Sequence, residues 1–214
     1  MNPKIIGLTG GIASGKTAFC HWLIETYSNK IKIIDTDSIA RSLLEPKENA
    51  WQAVCKRYQE PYPEIIKNNL QLDKKILREI IFSDSCEKTW LENLLHPVIL
   101  KTVQEEIVQI KHAPEFKSLK FIFIVIPLLN LKNRDKYFFL DQIISIETSE
   151  KKQLQRAQTR DNMTLELAQR MILNQPSQDE RKAIADLIIN NSYEHVADFY
   201  QFLDQEIQPI LKNF

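Results

Sequence analysis

Short, mainly apolar runs alternate with helical patterns along this 214-residue chain. The runs are continuous instead of alternating with polar residues, which is typical of parallel strands buried on both faces. They are Ile5–Leu8, Ile31–Ile34, Phe121–Ile126, Ile143–Ile146 and, with a weaker pattern, Leu187–Ile189. This β–α succession predicts an α/β fold of three layers, with a parallel five-stranded sheet between helices. Ligands of such sheets bind beyond the carboxyl ends of the strands.

Two segments interrupt the alternation and predict helical insertions. Residues 61–112 contain no convincing strand, and residues 149–182 are polar, helical and rich in arginine. The remaining ranges, 1–60, 113–148 and 183–214, then form the core that carries the sheet. Near the end of the chain, apolar residues recur at helical spacing, which predicts a helix packed on that core.

The glycines of the chain are confined to one short stretch. All four, Gly7, Gly10, Gly11 and Gly15, lie within nine positions. From Gly10 to Thr17 the sequence is Gly-Gly-Ile-Ala-Ser-Gly-Lys-Thr, which matches the phosphate-binding loop pattern G-x-x-x-x-G-K-[ST]. The stretch follows a predicted strand and precedes a helical pattern, as such a loop requires. It therefore predicts a site for the phosphates of a nucleotide.

The chemistry of such a loop depends on its backbone. A loop that surrounds a phosphate turns its N–H groups inward, which needs backbone angles that glycine adopts at little cost. The next helix begins with unpaired N–H groups and the positive end of its dipole toward the anion. We expect Lys16 to reach the β- and γ-phosphates of ATP, and the Thr17 hydroxyl to ligate Mg²⁺. The predicted nucleotide-binding residues of the loop are Gly11, Ile12, Ala13, Ser14, Gly15, Lys16 and Thr17.

Composition and charge argue against several other classes of protein. Twenty-eight Lys and Arg balance 28 Asp and Glu, so the overall charge does not favour binding to nucleic acid or to an anionic membrane. No apolar run has the length of a membrane span, and the three cysteines are too far apart for a disulfide framework or paired metal ligands. The first strand begins so early that we expect no leader peptide. These properties predict a cytoplasmic protein. They do not distinguish a monomer from a small homo-oligomer, and we expect one of the two.

Most other classes of phosphate-loop protein need residues that this chain lacks. GTPases carry D-x-x-G and N-K-x-D, and ABC-type transport ATPases carry a second glycine-bearing signature, but no glycine follows Gly15. The third strand leads into Pro127, without the acid that often holds Mg²⁺ in motor ATPases. A small-molecule kinase remains, because it needs only an acceptor pocket, a carboxylate near the acceptor hydroxyl and cations over the phosphates.

Two carboxylates after the second predicted strand are candidates for chemistry at the acceptor. Residues two apart on an extended strand share a face, so Asp35 and Asp37 could both approach the γ-phosphate. The alternative is that one of them caps the helix that begins near Ser38.

Basic residues are concentrated later in the chain. Four of the arginines, Arg156, Arg160, Arg170 and Arg181, lie between residues 149 and 182. Arg156 and Arg160 are four apart, so they share a helix face on which like charges repel. An anion bound to that face would replace the repulsion with charge-assisted hydrogen bonds. The alternative is a solvated helix surface.

Together these stretches resemble the dephospho-coenzyme A kinase family over nearly the whole chain. The loop shares its Leu-Thr-Gly-Gly-Ile lead-in, which most phosphate-loop proteins lack. The other matches are Ile34-Asp35-Thr36-Asp37 with Ile39-Ala40-Arg41, Leu72-Asp73, Leu77-Arg78, Ile81-Phe82, Leu95-His96-Pro97, Pro127-Leu128-Leu129, Gln153-Leu154-x-Arg156, Arg160-Asp161, Gln175, Arg181, Ala185-Asp186 and Asn190-Asn191.

The resemblance implies a reaction and a division into domains. The reaction is transfer of the γ-phosphoryl of ATP, with Mg²⁺, to the ribose 3′-hydroxyl of dephospho-coenzyme A. Residues 61–112 would form the acceptor domain and residues 149–182 a mobile lid over a P-loop NTPase core.

The resemblance also implies roles for single residues. Lys16, Asp37 and Arg156 correspond to catalytic positions, where Asp37 accepts the hydroxyl proton and Arg156 meets the transferring phosphate. Arg160 would contact the nucleotide, and Asp35 would assist Mg²⁺ or its waters.

One departure from the family pattern keeps two alternatives open. Leu131 stands where the family usually has Glu after Pro-Leu-Leu. The chain could be a kinase of another small acceptor, such as a nucleoside monophosphate, or a nucleotide-binding protein without turnover. His96 is either an acceptor-site residue or a structural one.

Overall fold

The computed structural model describes residues 2–161 and 163–212, and of Glu115, Arg160 and Asp161 it describes the backbone alone. Packing divides the chain into two compact units, Met1–Ile34 with Gln109–Phe214, and Asp35–Val108. Most of the predicted insertion 61–112 belongs to the second unit, together with residues 35–60. The division into functional domains stays a prediction.

A five-stranded sheet forms the centre of the first unit. Its strands are β1 (Lys4–Gly10), β2 (Ile31–Asp35), β3 (Phe121–Val125), β4 (Gln142–Glu147) and β5 (Leu187–Asn190), in the order β2-β3-β1-β4-β5. The central strand, β1, pairs in parallel with β3 and β4, and β4 pairs in parallel with β5. The five strands predicted from apolar runs are confirmed, including the weak run Leu187–Ile189.

Helices occupy most of the remaining chain. They are α1 (Lys16–Tyr27), α2 (Thr36–Leu43), α3 (Asn49–Tyr58), α4 (Lys74–Ser83), α5 (Ser85–His112), α6 (Glu150–Asp161), α7 (Leu165–Leu173), α8 (Gln178–Lys182), α9 (Val196–Phe202) and α10 (Gln208–Lys212). A π-helical turn, Leu203–Ile207, joins α9 to α10. Across the residues that the structure describes, no helix is long and apolar enough to cross a membrane.

The core of the first unit consists of apolar side chains from the sheet, α1 and the last helices. Phe19 is fully buried, and Phe199 and Leu203 are at most 1% exposed, as the predicted amphipathic helix requires. The Trp22 indole N–H donates to Asp204 Oδ1 at 2.8 Å, which adds a polar link between α1 and this helix. The sheet and α1 therefore hold the segment between β1 and α1, Gly11–Gly15, from both ends.

In the second unit, an ion pair joins α3 to α5. Arg57 donates two hydrogen bonds to Glu87, at 2.6 and 2.7 Å, and the Tyr58 hydroxyl donates to the same carboxylate at 2.5 Å. The hydrogen bonds from Arg57 and then Tyr58 lower the pKa of Glu87 to about 2. The Arg57 guanidinium also lies 4.6 Å from the centre of the Trp90 ring, a cation–π contact.

A second ion pair is buried in the first unit. Glu147 ends β4 and is fully buried, and it accepts hydrogen bonds from Arg181 Nε at 2.7 Å and Nη2 at 2.6 Å. Ser145 Oγ donates to the same carboxylate at 2.6 Å. Arg181, one of the four arginines in the arginine-rich segment, therefore compensates a buried carboxylate. Arg170, in contrast, is exposed and pairs with Glu166 one turn away.

We expect Arg181→Met to lower the free energy of unfolding by about 3–5 kcal/mol, because it leaves the buried Glu147 carboxylate without its partner. The matched control is Arg170→Met, which breaks an exposed i,i+4 pair and should change the same quantity by about 0.5 kcal/mol or less. Urea denaturation measures both. Equal losses would contradict a special role for the buried pair.

Candidate functional site

The phosphate loop adopts backbone angles that require glycine at two positions. Gly10 has φ = +149° and Gly15 has φ = +111°, in the left-handed half of the backbone map that other residues rarely adopt. A Cβ on Gly10 would lie 2.3 Å from Ile146 O of the neighbouring strand, and one on Gly15 would lie 2.2 Å from Asn191 Nδ2. The glycines thus allow β4 and the end of β5 to approach the loop closely.

Three successive carbonyl groups of the loop accept hydrogen bonds from side chains that come much later in the chain. The pairs are Gln153 Nε2 to Ile12 O at 3.0 Å, Arg156 Nη1 to Ala13 O at 3.3 Å, and Asn191 Nδ2 to Ser14 O at 2.8 Å. In a trans peptide group the C=O and the next N–H point in opposite directions. The N–H groups that follow these carbonyls are therefore directed away from the three side chains.

The peptide group between Gly11 and Ile12 has the opposite orientation. The Ile12 N–H donates to Gln175 Oε1 at 2.7 Å. The Gly11 carbonyl accordingly points toward the other side, where it accepts from Lys16 Nζ at 2.9 Å, and Gly10 O accepts from the same amine at 2.7 Å. The ammonium of Lys16 thus lies against the loop that it is predicted to serve.

Helix α6 brings a second cation to the loop. Besides Ala13 O, Arg156 donates to Tyr193 O at 2.5 Å and to the Asn191 carbonyl and side-chain oxygens at 3.4 Å. Burial lowers the pKa of the Arg156 guanidinium, and the nearby Glu194 carboxylate opposes the shift. Lys152 of the same helix donates to Ser192 O and to Glu194. The predicted cationic face of α6 therefore lies against residues 191–194 and the loop.

A cavity of about 260 Å³ opens between the loop and these elements. Its walls include Ala13 and Gly15 of the loop, Arg156 of α6, and Asn191, Tyr193 and Phe199. The structure thus brings Lys16 and Arg156 to one loop, with Thr17 exposed in the first turn of α1. Their catalytic roles stay a prediction. The side chain of Arg160 lies outside the described residues, so its predicted contact with the nucleotide is not tested.

The residues at the loop are compatible with Mg²⁺ bound mainly through phosphate oxygens and water. Over residues 2–161 and 163–212, no group of three or more His, Cys, Asp or Glu could hold a metal ion. Mg²⁺ in nucleotide sites typically keeps several waters and takes one or two protein oxygens together with phosphates. The exposed hydroxyl of Thr17, next to Lys16, is such an oxygen.

Asp35 and Asp37 belong to the second unit, and their geometry corrects one expectation. Strand β2 ends at Asp35 and α2 begins at Thr36, so the two aspartates do not share the face of one strand. Asp35 is the N-cap of α2, accepts from the Asp37 N–H at 3.0 Å and lies 3.5 Å from the Arg41 guanidinium. The alternative of a capping residue is thus confirmed for Asp35, whereas Asp37 is exposed.

Asp37 lines a cavity of about 450 Å³ inside the second unit. The apolar part of its wall consists of Leu44, Leu72, Leu77, Ile81, Phe82 and Leu91, and the charged part also includes Arg41, Lys74 and Arg78. Most of these residues belong to stretches that carry the family resemblance. The cavity therefore combines two carboxylates, Asp37 and Glu45, with an apolar surface and several cations.

The remaining candidates lie elsewhere. Asp73, from the Leu-Asp match, caps α4 through hydrogen bonds from the Lys75 and Ile76 N–H groups at 2.8 and 3.3 Å. The first of these bonds is the main cause of its lowered pKa. Leu131, at the position of the expected Glu, is 56% exposed in the segment after β3.

Sequence reasoning gave no role to three residues that contact the loop. Gln153, Gln175 and Asn191 all lie in stretches that match the family, but an amide side chain has no distinctive chemistry that would mark it as a loop contact. Only the distances of 2.7–3.0 Å in the folded chain identify them.

Comparisons with known proteins agree with the sequence resemblance. A family model described as dephospho-CoA kinase matches residues 4–197. A dephospho-CoA kinase of Vibrio parahaemolyticus is 34% identical over 188 residues, which cover 88% of this chain and 85% of the relative. One of Mannheimia succiniciproducens is 34% identical over 208 residues, which cover 97% and 88%.

Solved structures share the fold. A dephospho-CoA kinase from Campylobacter jejuni superimposes with a TM-score of 0.62 at 29% identity, covering 98% of both chains. A shikimate kinase from Acinetobacter baumannii, solved with shikimate, gives a TM-score of 0.53 at 16% identity and covers 99% of this chain and 94% of its own. The second likeness bears on the fold alone, and it confirms the predicted phosphate-loop kinase architecture.

We expect Gly15→Ala to weaken ATP binding at least about tenfold, because a left-handed backbone costs an L-residue about 1–2 kcal/mol and the new methyl meets the Asn191 amide. The control is Gly7→Ala in β1, where the added methyl meets the movable end of Leu140. Titration calorimetry should find ATP affinity within about twofold of wild type for Gly7→Ala. Unchanged affinity in Gly15→Ala would contradict the proposed backbone requirement.

Proposed function

We infer that this chain, since it belongs to the dephospho-CoA kinase family, transfers the γ-phosphoryl of ATP to the ribose 3′-hydroxyl of dephospho-CoA, giving coenzyme A and ADP. The hydroxyl oxygen forms a bond to the γ-phosphorus while the bond from that phosphorus to the bridging oxygen of ADP breaks. The observation that carries the assignment is the match to the family over residues 4–197, with the loop and the Asp37 cavity as its structural support.

ATP binds to the first unit. We assign the adenine to the cavity between the loop and residues 191–199, because the partly exposed Tyr193 ring and the exposed Val196 side chain line it. The triphosphate then follows the loop into the inward-directed N–H groups and the amino end of α1. Lys16 and Arg156 now donate to backbone carbonyls, and phosphate oxygens compete for the same donors through stronger charge-assisted bonds.

Charge neutralisation supplies most of the catalysis. The transferring phosphoryl group carries charge on its equatorial oxygens, so fixed cations and loop N–H groups lower the barrier. Lys16 and Arg156 are the cations for this task, and Arg160 is a further candidate. Thr17 would hold a bound Mg²⁺ and Asp35 would assist its waters, and the ion would supply positive charge at the phosphates. Asp35 Oδ1 accepts the capping bond and Oδ2 lies 3.5 Å from the Arg41 guanidinium, so a water would share an oxygen with one of these partners.

Dephospho-CoA takes the cavity of the second unit. Its diphosphate matches the cations Arg41, Lys74 and Arg78, and its apolar parts match the leucine-rich wall. Asp37 faces the same cavity and accepts the proton of the 3′-hydroxyl. An ordinary Asp is a weak base, and in a loose transition state the proton leaves late, so Asp37 orients the hydroxyl as much as it deprotonates it. Closure of residues 149–182 would exclude water that otherwise hydrolyses ATP.

The proposed binding partners of the protein are its small-molecule substrates, ATP and dephospho-CoA. We propose that the protein acts in the cytoplasm, where ATP is available, as a monomer or a small homo-oligomer, without nucleic acid or membrane partners.

The test is an assay of ADP release with dephospho-CoA, AMP, CMP and shikimate as acceptors. We expect ADP release that depends on dephospho-CoA and yields coenzyme A phosphorylated at the 3′ position, with at least about 100-fold lower kcat/KM for the other three acceptors. Preference for AMP or CMP would favour the kinase of another small acceptor. Tight ATP binding without turnover for any acceptor would favour the binding protein.

Asp37→Asn tests the role of the carboxylate. We expect kcat to fall about 100-fold while the KM for ATP stays within about twofold, because a positioned acid–base group contributes to the transfer step and not to nucleotide binding. Steady-state kinetics measure both. The control is Glu45→Gln, another carboxylate of the same cavity with no assigned role, which should retain wild-type kcat. Unchanged turnover in Asp37→Asn would overturn the assignment.

A further inference from the structure

Two glutamines hold the two peptide groups on either side of Ile12. Gln175 Oε1 accepts from the Ile12 N–H at 2.7 Å, and Gln153 Nε2 donates to the Ile12 carbonyl at 3.0 Å. Both side chains come from the predicted lid, residues 149–182. One glutamine acts as an acceptor and the other as a donor, so the pair recognises one orientation of the loop backbone.

Each of these bonds sets the direction of a group on the opposite side of the loop. The peptide groups are planar and trans, so fixing one end fixes the other. With its N–H held by Gln175, the first peptide group points the Gly11 carbonyl at Lys16 Nζ, 2.9 Å away. With its C=O held by Gln153, the second points the Ala13 N–H away from α6.

The glutamines are themselves held firmly. Gln153 is 6% exposed, and a Cβ on Gly11 would lie 2.0 Å from its Nε2, so the loop and the amide are in close contact. Gln175 precedes Pro176, whose carbonyl accepts from Arg181 Nη1, and Arg181 is locked by the buried Glu147. Hydrogen bonds, together with the covalent link between Pro176 and Gln175, thus connect the sheet to the Ile12 N–H.

We propose that Gln175 and Gln153 are positioning residues for the phosphates of ATP, which fix the direction of the loop N–H groups and of the Lys16 ammonium. They act through the loop backbone and not by contact with the substrate. The proposal deepens the function inferred above and rests on it for the identity of the nucleotide. It gives the predicted lid a second function, which is to hold the loop backbone through hydrogen bonds to Ile12.

The donor and acceptor roles allow a charge-matched test. Gln175→Glu keeps an oxygen that accepts from the Ile12 N–H, whereas Gln153→Glu places an acceptor against the Ile12 carbonyl. Both variants add the same charge near the same loop. We expect Gln175→Glu to bind ATP within about threefold of wild type, and Gln153→Glu to bind at least about tenfold more weakly. Gln175→Leu, which removes the acceptor, should also lose about tenfold.

Comparing the affinities for ATP and for adenosine distinguishes a defect in phosphate positioning from a general loss of structure. ATP and adenosine affinities are measured by calorimetry without acceptor, and urea denaturation checks that each variant is folded. For Gln175→Leu and Gln153→Glu, the loss should apply to ATP, while adenosine affinity stays within about twofold of wild type. Gln153→Met, a neutral variant without the donor, replaces Gln153→Glu if the added charge unfolds the chain. Gln155→Glu, on the exposed side of α6, should match wild type.

Several results would overturn the proposal. One is equal loss in Gln175→Glu and Gln153→Glu, which would mean that charge alone matters. Another is equal loss of ATP and adenosine affinity in Gln175→Leu, which would mean a purely structural role. Wild-type ATP affinity in Gln175→Leu and Gln153→Met would also exclude positioning. Failure of the proposed kinase function would instead leave wild-type protein without dephospho-CoA turnover while these binding differences persist.

Discussion

The direction of the peptide groups between Gly10 and Gly15 is the constraint on which the rest of this structure depends. A loop binds phosphate only if its N–H groups face the anion, and an isolated chain has no reason to hold several peptide groups in that arrangement. Here the carbonyls of Ile12, Ala13 and Ser14 accept bonds from side chains that lie between about 140 and 180 positions later in sequence. The phosphate site is therefore a product of the whole first unit and not of the glycine-rich stretch alone.

The buried ion pair between Glu147 and Arg181 helps to position the segment that contacts the loop. Pairs such as Glu147–Arg181 add little net stability compared with an apolar core, but they fix geometry because neither partner tolerates separation. Arg181 also bonds to the carbonyl of Pro176, next to the glutamine that receives the Ile12 N–H. The pair thus anchors the end of the predicted lid segment to strand β4, which is hydrogen-bonded to β1 at Gly10. A change in the geometry of this ion pair would therefore be transmitted to the loop through only a few bonds.

The sequence was sufficient for the five strands and the phosphate loop, because both depend on local patterns. Buried parallel strands are continuous apolar runs, and the loop pattern has four required positions at fixed spacing. It was not sufficient for the partners of charged and amide side chains. Arg181 has the same sequence character as Arg156, yet Arg181 meets a buried carboxylate 34 residues away, whereas Arg156 meets the Ala13 carbonyl of the loop. The sequence also did not show that Asp35 and Asp37 belong to different elements. In the structure β2 ends at Asp35, which caps α2, and Asp37 lies in the first turn of that helix.

The phosphate loop cannot select the acceptor. The shikimate kinase that shares the fold with a TM-score of 0.53 illustrates that one nucleotide-binding scaffold hosts different acceptors. Selection must therefore come from residues outside the loop. We propose that in this chain those residues belong to the second unit, where Asp37 and Glu45 line a cavity with a leucine-rich wall and three cations. A small, uncharged acceptor would make little use of the cations or of the apolar wall, whereas an acceptor with an internal diphosphate and apolar parts can contact both. The chemistry of that cavity, more than the loop, is what argues for dephospho-CoA over a smaller alcohol.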